Sequence, residues 1–314
     1  MRELPADFAR QLLKDARLPA PDVDERLRRA CDTAYWRQLA PGLHVESDLR
    51  SLEHDAVSAA ALAGAARALH DEGVFHLRGA VASRAIQRLN DAIDRVVAAG
   101  WPAVFAFAYD ELWLCARTSS IGRLATDVLG DGAAQIPHVW THIVPPAAGA
   151  AGWRPHVDGA IGPRRLSCWL ALTDATLDNG CMHVVPRHLA PPRFAERLDE
   201  GAPFDATDLT SALQAVTAIP AAAGDVLGWT FDVVHWGGRA RSGQRERRSL
   251  SFEYIAANET PYDDERPTLP LTDGLPPLAA RLHAIAAGVL EYRKFEPLLT
   301  RFEDLATRVL SSQF

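Results

Sequence analysis

Lysine is nearly missing from this chain. Of 33 basic residues only Lys14 and Lys294 are lysines, and the rest are arginines. That skew reads as genome composition rather than chemistry. Cysteine is scarce as well. Cys31, Cys115, Cys168 and Cys181 stand apart with no C-x-x-C spacing, which argues against a disulfide framework or a Cys-rich zinc site. Buried free thiols are the plain reading. No apolar run reaches the ~20 residues that a membrane-spanning helix needs, so no membrane partner is expected. The first fifteen residues contain Asp7, Lys14 and Asp15 and lack the apolar centre of a signal peptide. A cytoplasmic location is the expectation. An excess of positive charge is absent too. The 33 basic and 40 acidic residues leave a net charge of −7, a balance unsuited to coating nucleic acid. Internal repeats and low-complexity linkers are not evident.

What is present is ordinary for a globular protein: 48% apolar and 23% charged residues in 314. A chain near 300 residues buries about 75% of the surface its unfolded form exposes, so a large core is available. The first hundred residues read mainly as helix. Residues 5–18 and 22–39 carry apolar side chains at spacings of three and four. Residues 57–70 are rich in alanine, a strong helix former, and Gly73 is placed to end that helix. The run VFHLRGAV follows as a short strand. Ser83 is placed to cap a helix with one apolar stripe: Ile86, Leu89, Ile93, Val96 and Val97.

After about residue 104 short β-like runs dominate, at 104–109, 136–144, 153–158, 166–172, 182–186, 215–219, 225–229, 233–236 and 248–255. Phe105, Phe107 and Tyr109 alternate with small residues, as one buried sheet face would. Helical patterns return at 191–198 and 278–292. Short strands at close spacing imply an all-β sandwich or barrel. Without a linker, one catalytic domain over residues 1–314 is expected: a mostly helical part at 1–103, a β core at 104–257 and a helical extension at 258–314.

Two stretches carry the chemistry. In WRPHVDG, His156 and Asp158 are two apart, and on a strand such residues share a face. In GDVLGWTFDVVHWGG, His235 ends an apolar run, 79 residues after His156. One His and one carboxylate close together, plus a distant His, is the donor set of the 2-His-1-carboxylate facial triad. It occupies one face of Fe(II) and leaves positions open for other ligands. H-x-D alone is weak, because an ordinary surface turn explains it equally well. The segment after His235 adds weight. There Arg247 and Ser249 share a strand face, and a guanidinium beside a hydroxyl suits the far carboxylate of a five-carbon keto diacid. Arg239, Arg241 and Arg245 read as a solvated loop. Asn179–Gly180 and Asp225 read as turn chemistry, and His76, His138 and His183 as histidines satisfied within the fold.

From about residue 60 to 257 the chain resembles the phytanoyl-CoA dioxygenase family of Fe(II)/2-oxoglutarate-dependent oxygenases. The resemblance rests on GVFHLRGAV, PHVDG, RRLSCWLALTDATLDNGCMHVVPRHL, GDVLGWTFDVVHWGG and RRSLSFEY, in that order. It implies a mainly β fold with flanking helices around a double-stranded β-helix (jelly-roll or cupin-like) core. It implies Fe(II) held by His156, Asp158 and His235, with 2-oxoglutarate and O2 as co-substrates. Arg247 matches the family's carboxylate-binding arginine. One extra residue after His235 leaves Arg248 as a rival, while counting back from Tyr254 and the R-x-S pair favour Arg247 with Ser249. Trp169 sits where members place a residue against the co-substrate, and Trp140 is a second such candidate. The lysine that some members place near 2-oxoglutarate has no counterpart near a motif here. The residue two after the distal His is often Ser in the family; here it is Gly237. Candidates for the substrate side are His142, Trp236, Arg154 and Phe107. Related halogenases carry Gly or Ala in place of the carboxylate, so Asp158 implies oxygenation. The implied activity is hydroxylation of an unactivated C–H bond of a small molecule, releasing succinate and CO2. Desaturation, ring closure and epoxidation remain open, as does a non-catalytic 2-oxoglutarate- or metal-binding protein on the same fold.

Overall fold

The computed structural model describes residues 17–52, 57–158, 164–241, 245–260 and 268–312. All but the last two residues of the helix expected over 5–18 lie outside them. Among the described residues nine strands form two antiparallel sheets. They are β1 (Val74–Leu77), β2 (Ala134–Val144), β3 (Arg165–Ala171), β4 (Met182–Val185), β5 (Thr217–Ile219), β6 (Val226–Thr230), β7 (Val234–Gly237), β8 (Arg247–Ile255) and β9 (Leu269–Pro270). The larger sheet runs β1-β6-β3-β8-β2-β9, and the smaller runs β5-β4-β7. The core is a double-stranded β-helix with helices flanking the larger sheet.

The alternation in β8 explains how one strand serves two environments. Leu250, Phe252 and Tyr254 point outward and join the main apolar cluster with the helices. Burying each such side chain stabilises the fold by about 1.5–3 kcal/mol. Arg247, Ser249, Ser251 and Glu253 occupy the opposite face, of which Arg247, Ser251 and Glu253 line an internal cavity. The same apolar cluster runs from Leu18 to Val309, so the helical segments at both ends of the chain pack on the β core.

The helix Leu278–Tyr292 lies against β2. Gly288 permits this, since a Cβ there would stand 3.3 Å from the Trp140 ring. The helix thereby brings Tyr292 to the cavity wall. The 57–70 pattern forms Ala59–Glu72, capped by Ser58 and ended by Gly73 at φ +78°, a left-handed conformation that glycine adopts without a Cβ clash.

Several expectations need correcting. The helix expected over 22–39 is two, Ala20–Ala30 and Thr33–Leu39, because Asp32 accepts from the Ala34 N–H and starts a new helix. Ser83 is the first helical residue rather than the cap, which is Ala82. Val97 is 46% exposed, so the stripe on that helix ends at Val96. The strand expected over 104–109 is instead a 3-10 helix, Ala103–Ala108, leading into the helix Asp110–Cys115. Its large side chains are buried on all sides, so alternation of size there reports helix packing and not a sheet. Helices Ser119–Leu129, Ala206–Ala215 and Glu303–Ser311 went unread in the sequence.

Candidate active site

The segment 153–158 is not a full strand. A single bridge joins His156 to His235, with His156 N–H donating to His235 O at 3.1 Å and His235 N–H to His156 O at 3.0 Å. That bridge sets two residues far apart in sequence side by side. Their ring centroids are 4.4 Å apart. His156 Nδ1 donates to Arg154 O at 2.7 Å, and His235 Nδ1 to Val233 O at 3.1 Å. Each bond fixes a tautomer and leaves an Nε2 lone pair free. Both Nε2 atoms lie 3.5 Å from Asp158 Oδ1. The other carboxylate oxygen, Oδ2, accepts from Trp229 Nε1 at 2.8 Å.

The three side chains offer donor atoms within 4.8 Å of one another, and His156 Nε2 is buried with no hydrogen-bond partner. Two imidazoles oriented from behind and one carboxylate braced by an indole N–H fit a cation of the Fe(II) type. The electrostatics agree. Burial alone would raise the Asp158 carboxyl, but His235, His156 and the Trp229 N–H outweigh it and hold it well below the usual carboxylate range. Burial pushes His235 down to about 4, which keeps it neutral and able to donate a lone pair. Burial alone would lower His156, but the Asp158 carboxylate 3.5 Å away outweighs it and raises the imidazole.

Arg247 opens β8 and reaches the same cavity. It is 3% exposed. Among the described residues no carboxylate meets it. Its guanidinium donates to Gly180 O, lies 6.0 Å from the centre of the Trp169 ring, and leaves Nε without a partner. Burial lowers its pKa to about 10. A buried guanidinium without an anion is a strong site for one. Arg248 points to the other face and is already engaged, with Asp94 at 2.6 Å and with Glu246. Gly237 follows from Arg247 as well. A Cβ at Gly237 would stand 2.7 Å from Arg247 Nη2 and 2.8 Å from Gly152 Cα, so no larger residue fits while Arg247 lies there.

The remaining candidates separate. Trp169 and His142 line the cavity; His142 Nε2 is 3.1 Å from Ser251 Oγ, and burial pushes its pKa down to about 3. Ser249 is fully buried between His142 of β2 and Ala171 of β3, with Oγ unpartnered. It lies on the Arg247 face but does not line the cavity. Trp140 shares that face, yet its indole is drawn under the helix Leu278–Tyr292. It donates to Glu296 Oε1 at 3.1 Å and packs on Tyr292 at 4.3 Å, away from the cavity. Trp236 points to the face opposite His235 and stacks on His183 at 5.6 Å. Arg154 is exposed and contributes its carbonyl rather than its guanidinium. Phe107 is buried in the helical core, edge-on to Trp113 at 5.8 Å. Trp140, Trp236, the Arg154 side chain and Phe107 therefore do not meet the cavity. Ser167, Ser251, Glu253 and Tyr292 do, and none of them was singled out in the sequence. Extending the R-x-S alternation by two more steps along β8 would have found Ser251 and Glu253.

The phytanoyl-CoA dioxygenase (PhyH) family model matches residues 109–249. No curated protein matches the chain by sequence. Among solved structures, the chain is similar to the non-heme alpha ketoglutarate dependent epimerase SnoN from nogalamycin biosynthesis. The two share 21% identity over 70% of this chain and 91% of that one, with a TM-score of 0.52. SnoN in complex with Fe3+, alpha ketoglutarate and nogalamycin RO matches at 20% identity over 69% of this chain and 97% of that one, TM-score 0.50. The apo form of the non-heme monooxygenase ThoJ matches at 15% identity over 79% and 99%, TM-score 0.52. Those likenesses concern the fold; the family model bears on the chemistry. The match over residues 109–249 is to the phytanoyl-CoA dioxygenase family, and it supports an Fe(II)/2-oxoglutarate-dependent non-haem oxygenase.

Proposed function

We propose that His156, Asp158 and His235 hold the iron, that Arg247 anchors 2-oxoglutarate, and that the enzyme hydroxylates an unactivated C–H bond of a small organic molecule. The whole chain acts as one catalytic unit in this reading. The observation that carries it is the convergence of two Nε2 lone pairs and one carboxylate oxygen, beside a buried arginine whose Nε has no partner among the described residues. Iron bound there would couple the oxidative decarboxylation of 2-oxoglutarate by O2 to oxidation of a C–H bond, with succinate and CO2 released.

The chain's own residues have definite tasks. Arg154 O and Val233 O hold the two imidazole tautomers. Trp229 holds the rotamer of Asp158. Arg247 receives the far carboxylate of the diacid, and the Trp169 ring limits where its chain can lie. Asp158 completes the donor set, which favours oxygenation.

The test is succinate formation from 2-oxoglutarate, dependent on added Fe(II), without any other substrate. The wild-type chain is expected to show slow turnover and His235→Ala to abolish it. Full turnover in that variant would refute the assignment.

A further inference from the structure

We propose that the end of the cavity opposite Arg247 is the substrate subsite, where Glu253, with Ser167 beside it, receives a hydroxyl group of an organic substrate. This rests on the oxygenase reading above and names what that site recognises. Glu253 and Arg247 share a face of β8 six residues apart, roughly 20 Å along a strand. A five-carbon diacid anchored at Arg247 covers only part of that length. Across the sheet, Trp229 of β6, Ser167 of β3 and Glu253 of β8 stand in one row. Trp229 is the residue that donates to Asp158. Along that row the Glu253 backbone stands two strands, roughly 10 Å, from that of the tryptophan that braces the Asp158 carboxylate, and away from the diacid's anchor.

Among the described residues Glu253 Oε2 and Ser167 Oγ are both buried without a hydrogen-bond partner. Their residues are 7% and 3% exposed, and both line the cavity. Leaving a buried carboxylate oxygen unmet costs free energy, which a ligand able to donate to it would recover. The other oxygen, Oε1, is held by His138 Nδ1 at 2.8 Å. Glu253 and Glu291 outweigh the burial of His138 and push its pKa up to about 10. With Oε1 taken by His138, one acceptor oxygen of Glu253 is left for a ligand, and a single O–H donor satisfies it. A hydroxyl, which donates without bringing charge of its own, suits this pair better than an ammonium group. Trp153 and Tyr292, 4.6 Å apart, flank the same cavity and offer apolar contact to the carbon frame that bears the hydroxyl.

The experiment compares three probes: benzyl alcohol, benzyl methyl ether and benzylammonium. Each is titrated by ligand-observed NMR into the chain loaded anaerobically with Fe(II) and 2-oxoglutarate. Benzyl alcohol is expected to bind at least about tenfold more tightly than the ether, the worth of one hydrogen bond to a charged acceptor. Glu253→Leu should erase that preference, and Glu253→Gln, which keeps an acceptor oxygen, should retain part of it. Alcohol that binds no better than ether in the wild type, or not at all, overturns the subsite, as does a preference that survives Glu253→Leu. Benzylammonium binding more tightly than the alcohol overturns the hydroxyl assignment. The wild-type comparison stands even if a variant fails to fold. A chain that takes up neither Fe(II) nor 2-oxoglutarate refutes the underlying oxygenase reading instead, a result distinct from uptake of both without discrimination among the probes.

Discussion

Arg247→Met separates a functional anchor from a structural arginine, because the two roles predict opposite signs. The guanidinium is 3% exposed with no carboxylate beside it among the described residues, and burial lowers its pKa from 12.5 to about 10. That shift corresponds to roughly 3 kcal/mol of unfavourable solvation. Methionine removes it and forfeits the hydrogen bond to Gly180 O, worth about 1 kcal/mol. The ligand-free variant is therefore expected to gain about 2 kcal/mol, a rise of a few degrees in Tm. With 2-oxoglutarate the order reverses. Losing charge-assisted bonds worth about 3 kcal/mol weakens binding roughly 150-fold. At 100 times the wild-type Kd the diacid stabilises the wild type by about 2.7 kcal/mol and the variant by only about 0.3 kcal/mol. Thermal melts under nitrogen, with Fe(II) and with or without 2-oxoglutarate, measure both signs. Arg248→Ala serves as the comparison, since its partners are Asp94 and Glu246 on the other face. A full 2-oxoglutarate response in Arg247→Met, or its loss in Arg248→Ala, would refute the assignment.

Two further outcomes follow from the geometry. Gly237→Ser places a Cβ 2.7 Å from Arg247 Nη2, so it should displace the guanidinium and raise the KM for 2-oxoglutarate about tenfold or more, with Fe(II) affinity little changed. An unchanged KM would show that Arg247 does not need that position. His138 gives the fold a pH signature: its pKa is 6.5 in the free residue and about 10 in the protein. A raised histidine stabilises fully below its unfolded pKa and loses that contribution as pH rises toward its folded pKa. Urea unfolding should show stability falling by about 1.4 kcal/mol per pH unit from this group between those values, and His138→Gln should flatten that slope. Equal slopes in the two proteins would contradict the buried imidazolium.

The site was legible where local spacing and residue type coincide with chemistry. His156 and Asp158 are two apart, and their partner His235 stands at the end of an apolar strand. Only a long-range bridge makes those three neighbours, and their orientation comes from two backbone carbonyls that no motif announces. The preference for Arg247 over Arg248 rested on the R-x-S pair and the count back from Tyr254; Arg248 is engaged by Asp94 and Glu246, which accords with that preference. Trp140 was misplaced for a different reason. It shares the correct face, but a helix beginning 138 residues later, at Leu278, draws its indole away. Phe107 failed because big–small alternation also suits a buried 3-10 helix. Glu253 lay within reach of the β8 alternation, but Ser167 was missed because its place beside Glu253 depends on a register between strands that no local pattern encodes.

Iron content under nitrogen tests the central claim most directly. Equilibrium dialysis of the wild-type chain against Fe(II) should give one tightly held iron per chain, and the double variant His156→Ala/His235→Ala should retain none above background. Equal iron in the two proteins would contradict the account.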